Sequence, residues 1–463
     1  MGSAASRVSP NKPKYKTSKN ADKPARGIQV FIGPYIHSLS WTEPLVVQPN
    51  GVIGVKDGKI VIVDTAENLD TLKASHSFGD SDIIKLQEGE FLMPGLIDTH
   101  IHAPQYPNVG IGLDLPLLEW LDKYTFPLEA KYKDPKFAEL VYRKVVEKTI
   151  NNGTTTASYF TTIHTSSSEV MADMVEAYGQ RALVGKVCMD CYSPDYYVET
   201  TEESLSGTTE FVKKILDRKN PLVLPTITPR FALTCSEDLL KGLGAIAKEH
   251  DVHIQTHLDE SIPEIERAME LFPQYKNYAD IYGGTGLLSS KAIMAHCVHI
   301  TDEELEILKE NNTSISHCPT SNNSLLSGHC PVKKLRNAGV KVGLGTDVAG
   351  GYTPSILEEM RHAIMTAKTL SIEGRESEPL TFREALYLAT LGGAEALAME
   401  QEIGNFQVGK SFDALVIGLE HELSPIDLFP ESDINVLVEK FIMLGDDRNI
   451  VKVFVNGQLV KSY

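Results

Sequence analysis

Eight short apolar runs, each the length of a buried strand, recur between residues 91 and 345 with amphipathic helical stretches between them. The runs fall at 91–97, 154–160, 182–188, 222–228, 252–256, 292–295, 314–317 and 340–345. Leu239, Leu240, Leu243, Ile246 and Ala247 form a helical apolar stripe. Thr301-x-x-Glu304 and Ser261-x-x-Glu264 have the form of capping boxes at helix starts. Eight strands joined by helical crossovers, with more helix after the last, is the count of an α/β (β/α)8 TIM barrel. The pattern alone leaves an open doubly wound sheet as the alternative.

The two chain ends read as β structure instead. Residues 28–32, 51–55 and 59–63 are strand-like, and Lys56-Asp57-Gly58 is a hairpin signal. Residues 413–417 and 451–455 repeat the pattern, the latter running into Asn456-Gly457. The expected organisation is a β-sandwich domain built from residues 28–93 and 398–463, around a barrel domain at 94–397. Residues 1–27 carry seven basic residues against the single acid Asp22, with almost no large apolar side chains, so a flexible basic tail is expected. Its first six residues, Met1-Gly2-Ser3-Ala4-Ala5-Ser6, match the N-myristoylation pattern. An acyl chain plus basic residues would give a weakly membrane-associated fraction of an otherwise cytoplasmic protein.

Charge and cysteine usage exclude several classes. With 44 basic and 62 acidic residues the net charge is −18, which disfavours a nucleic-acid polymer as partner. No run of 18 apolar residues provides a membrane span. The six cysteines do not have the density of a disulfide framework, and Cys188-x-x-Cys191 lacks a second pair at zinc-ribbon spacing, so both are expected as reduced thiols.

Barrel enzymes carry their chemistry at the C-terminal ends of the strands. The first run leads into Asp98-Thr99-His100-Ile101-His102, where residues two apart share a face and could grip one ion. The fifth leads into His257-Leu258-Asp259-Glu260, the sixth into His296 and the eighth into Thr346-Asp347. Imidazole with carboxylate suits zinc, or iron(II), with a position left for water. Glu260, three residues past His257, is placed to take a proton from such a water and return it to a leaving group. His164, His317 and His329 lack partners at ligand spacing, although His317 could line a pocket.

The stretch Pro94-Gly95-Leu96-Ile97-Asp98-Thr99-His100-Ile101-His102 resembles the first-strand signature of the amidohydrolase superfamily, and His257, His296 and Gly345-Thr346-Asp347 fall where that superfamily has its other site residues. Within it the chain is similar to the animal-type guanine deaminases, through Ala103-Pro104-Gln105, residues 114–127, Thr228-Pro229-Arg230-Phe231, and residues 425–429 and 444–450. The resemblance implies a metal-bearing barrel that deaminates guanine to xanthine and ammonia, with one zinc per subunit in a homodimer. It implies His100, His102, His257 and Asp347 as metal ligands, Glu260 as proton shuttle and His296 as the residue that orients the nucleophilic water, with Asp347 assisting proton handling. It implies purine contacts from Gln105, Arg230 and Phe231, with His102, His257, Glu260 and Asp347 also lining the substrate. Two other readings stay open at this point: an aminohydrolase for a triazine, cytosine or an adenosine derivative, and a metal-free scaffold relative.

Overall fold

In the computed structural model, which describes residues 14–17, 27–429 and 433–463, the central runs form a barrel of eight parallel strands. They are Leu96–His102, Thr154–Phe160, Arg181–Gly185, Val223–Pro229, His253–Leu258, Ala292–His296, Ser314–His317 and Val342–Leu344, paired in chain order. The first and eighth strands meet through the Asp347 amide, which donates to the His100 carbonyl at 2.8 Å, and the His102 amide, which donates to Val348 at 3.1 Å. The open-sheet alternative is thereby excluded. Apolar strand faces and the inner stripes of the surrounding helices make a large core, while Ile97, Leu183 and Ile293 from three barrel strands cluster separately with Ala394, Leu397 and Ile403. Both capping boxes hold: Glu304 accepts from the Thr301 amide at 3.0 Å, and Glu264 from the Ser261 amide at 3.2 Å.

Seven strands match the expected runs to within three residues, but the first does not. The run at 91–97 is divided between two sheets. Glu90–Pro94 pairs antiparallel with Ala414–Gly418, and only from Leu96 does the chain enter the barrel. The change of sheet falls at Gly95, where a Cβ would lie 2.0 Å from Thr155 Oγ1 of the second strand. Both halves of the run are buried, so hydrophobicity alone carries no mark of the boundary.

Strands from both chain ends join in one mixed sheet that includes Gln29–His37, Val46–Lys56, Lys59–Thr65, Ala414–Gly418, Ile450–Val455 and Gln458–Ser462. Its hairpins turn at Asp57-Gly58 and Asn456-Gly457, all four residues having positive φ, as the primed turns favoured between twisted strands require. The buried Arg181 side chain joins barrel to sheet, with Nε donating to Asp413 Oδ2 at 2.9 Å. Lys14 and Tyr15, inside the stretch expected as a tail, pair antiparallel with Ser462 and Lys461 at the sheet edge. Gly2 and its acylation pattern lie outside the described residues. Among the described residues no helix is long and apolar enough to cross a membrane, and all six cysteines are free.

Candidate active site

Four strand ends deliver the site. His100 and His102 project from the end of the first strand, His257 from the fifth, His296 closes the sixth, and Asp347 stands three residues past the eighth. All five are buried. Asp259, His296 and Asp347 have left-handed backbone, with φ of 52°, 74° and 43°. Such non-glycine conformations cost on the order of 1–3 kcal/mol each and cluster at functional sites.

The ligand atoms of His100, His257, His296 and Asp347 lie within 4.8 Å of one another. His102 joins the same group, its Nε2 being 3.1 Å from His257 Nε2 and 3.3 Å from Asp347 Oδ1. His100 Nε2 is 3.1 Å from Asp347 Oδ1. Ligands at 2.0–2.1 Å around a tetrahedral zinc would be spaced by roughly 3.3 Å, so these separations fit one shared ion. Tautomers fit as well. His257 Nδ1 is 2.5 Å from the Arg230 carbonyl, which can only accept, so Nδ1 carries the proton and the Nε2 lone pair faces the cluster. His296 Nδ1 meets Asn322 Oδ1 at 2.9 Å, and its buried Nε2 has no hydrogen-bond partner.

Charge states complete the picture. Burial lowers the pKa of His100, holds His102 down to about 4, and takes His257 well below its usual value. Burial would raise Asp347, but hydrogen bonds from His100 and His102 and their proximity hold its carboxyl well below the usual range. Neutral imidazoles around an ionised carboxylate form a donor set for a divalent cation. Glu260 lies beside this set, with Oε2 3.4 Å from His296 Nε2 and Oε1 accepting from Ser327 at 3.2 Å. Burial and the Asp347 charge both raise its pKa, which suits a group that must accept and then release a proton.

A pocket opens from these groups, and Gln105, Arg230 and Phe231 line it with His102, His257, Glu260 and Asp347. Every residue expected at the site except His100 and His296 is therefore on the pocket wall, and those two sit in the cluster behind it. His317, at the end of the seventh strand, is buried with neither ring nitrogen bonded, and it is not among the lining residues.

Several participants received no role from the sequence, although residues 114–127 and Asp98 lie in stretches that carry the family resemblance. Leu117, Trp120 and Leu121 wall the pocket from the segment after the first strand, where a π-helical turn at Leu121–Thr125 interrupts the helix. Glu129, completely buried, faces Arg230, with Nη1 donating to Oε2 at 2.7 Å and Nη2 to Oε1 at 3.2 Å. Burial favours its neutral form, but the Arg230 charge outweighs this and holds its pKa below the usual value. Asp98 accepts from the Thr346 amide and hydroxyl, at 3.0 and 2.6 Å, tying the first strand to the segment that carries Asp347. Its position two residues before His100, on the same strand face and within the first-strand motif, is the signal that could have marked it.

Residues 91–460 match the amidohydrolase family. The chain belongs to that family. This amidohydrolase is 49% identical over 441 residues to the guanine deaminase of Mus musculus, covering 94% of this chain and 97% of that protein. It is 48% identical to the guanine deaminase of Homo sapiens over the same shares. A crystal structure of guanine deaminase from C. acetobutylicum, with guanine bound in its active site, superposes with a TM-score of 0.87 at 37% identity, covering 94% of this chain and all of that one. Similarity of this extent spans both the barrel and the mixed sheet, so the whole architecture is shared with these relatives.

Proposed function

We propose that this amidohydrolase deaminates guanine, replacing the 2-amino group with oxygen to give xanthine and ammonia. The observation that carries the reading is one pocket in which His102, His257, Asp347 and Glu260 share the wall with Gln105, Arg230 and Phe231, with His100 and His296 in the cluster behind them. The extensive similarity to guanine deaminases supports the choice of purine.

His100, His102, His257 and Asp347 would hold one divalent cation, for which zinc is the best fit and iron(II) the other ion suited to these donors. Such a cation supplies Lewis acidity, bringing the pKa of water near 7. Gln105 and Arg230 bind the polar edge of the base, and Phe231 offers a ring face for stacking. His296, held through Nδ1 by Asn322, orients the attacking water at C2. Glu260 accepts one water proton and passes it to a ring nitrogen, then takes the second from the new C2 hydroxyl and delivers it to the amine as the C2–N bond breaks, leaving the C2 carbonyl of xanthine. Asp347 stays ionised throughout and assists this transfer. The apolar walls Leu117, Trp120 and Leu121 exclude bulk water.

Turnover of guanine tests the reading directly. The metal-loaded protein should release xanthine and ammonia in equal amounts, and no release would reject it. Resemblance to the family supports a homodimer, checked by light scattering. Free thiols support a reducing, cytoplasmic location. Acylation at Gly2 with a membrane-bound fraction is checked by intact mass on protein from its native cell.

A further inference from the structure

The acceptor positions of the Glu129 carboxylate are all taken by protein. Oε2 accepts from Arg230 Nη1 at 2.7 Å and from the Tyr197 hydroxyl at 2.7 Å. Oε1 accepts from Arg230 Nη2 at 3.2 Å and from Gln105 Nε2 at 3.0 Å. A carboxylate offers about four lone-pair sites, so Glu129 has none left for a substrate. Its effect must pass through the side chains it holds, two of which line the pocket.

Both are held in one orientation. Gln105 donates from Nε2 to Glu129 while its Oε1 accepts from the Ala349 amide at 3.1 Å. A flipped amide would set oxygen against carboxylate and NH2 against N–H, so the flip is closed off. Oε1 keeps one lone pair for a ring N–H. Arg230 spends its end-on pair, Nη1 and Nη2, on Glu129, and the other Nη1 hydrogen faces Met189 Sδ at 3.9 Å. Of its five N–H groups, Nε–H and one on Nη2 stay uncommitted to Glu129. These two form the parallel side-on fork, which matches two adjacent acceptors.

We infer that Glu129 is a positioning residue that sets base specificity, by turning the Arg230 side-on fork and the Gln105 carbonyl toward the pocket so that they read the O6/N7 and N1–H edge of a 6-oxopurine. This rests on the guanine reading above. A 6-aminopurine would bring a donor to the arginine fork and no N1–H to the glutamine carbonyl. Glu129 thus makes the pocket selective for the oxopurine without touching it.

The test compares kcat/KM for guanine with that for 2-aminopurine, which keeps the reacting amine and lacks the C6 oxygen and N1–H. In Glu129→Gln an NH2 replaces one oxygen and opposes two of the four donors, so Arg230 and Gln105 lose their fixed orientation. The guanine to 2-aminopurine ratio should fall at least tenfold from that of the parent. A purely structural role would lower both substrates together and keep the ratio, which would overturn the inference. Glu129→Asp keeps the charge opposite Arg230, guarding against a variant that fails to fold, but it is one methylene too short to hold Arg230 and Gln105 together. Its ratio should also fall, and an unchanged ratio in this folded variant overturns the inference equally. A parent that does not turn over guanine rejects the proposed function, whereas a guanine-selective parent with ratio-neutral variants rejects only the role of Glu129.

Discussion

Replacing Glu260 by glutamine isolates proton transfer from every other property of the site. The side chain is buried, with Oε1 accepting from Ser327 and Oε2 beside His296. Glutamine has nearly the same volume and its carbonyl can still accept from Ser327, so pocket shape and the metal ligands are untouched. The amide cannot take up a proton. A positioned acid–base group contributes about 10²–10⁴-fold, or roughly 2.7–5.4 kcal/mol of barrier. The kcat for guanine should therefore fall by that factor while KM changes little and bound metal is retained. Stability should not fall with it, because burial and the Asp347 charge disfavour the carboxylate that is removed. Steady-state kinetics, metal analysis and thermal unfolding on the same preparation read all three quantities. A kcat within a few-fold of the parent, with metal present, would remove Glu260 from the proton path and sink the mechanism above.

His100→Ala and Asp347→Ala should each lose bound metal and turnover together, and chelation of the parent should do the same; full activity in metal-free protein would refute the cluster as a metal centre. Arg230→Met removes charged hydrogen bonds worth about 1.5–3 kcal/mol, so kcat/KM for guanine should drop roughly 10–150-fold. It also leaves Glu129 buried without its partner, at about 3–5 kcal/mol of stability, so an unchanged Tm would show that Glu129 is not held as described. Burial lowers the Lys461 pKa from 10.5 to about 7, with Asp447 opposing. Between those values the unfolded chain binds a proton that the folded chain has shed, so stability rises with pH by up to about 1.4 kcal/mol per unit. Lys461→Met should raise Tm at pH 7 and flatten the slope from pH 7 to 10, and an unaltered slope would refute the assignment.

Strand-length apolar runs, helical stripes and capping boxes are local patterns, and a linear reading recovers them. The barrel, seven of its eight strands, both hairpins and the strand-end positions of His100, His102, His257, His296 and Asp347 were legible for that reason. Residue type then indicated metal and proton chemistry, since few side chains can perform either. The first strand failed because Gly95 divides one apolar run between two sheets, and burial on both sides erased the signal.

Everything set by proximity across the chain waited for the tertiary structure. Glu129 and Arg230 are 101 residues apart, and nothing local distinguishes this buried carboxylate from a solvated one on a helix. The same holds for Asn322 on His296 and Ser327 on Glu260. Protonation follows the same rule. The neutral imidazoles, the ionised Asp347 and the raised Glu260 result from desolvation and neighbouring charge, which exist only once the strands have brought these groups together and water has been excluded. Sequence carried which atoms could do the chemistry, and folding determined their charge, their orientation and the partners that hold them, because those depend on distances that no linear spacing encodes.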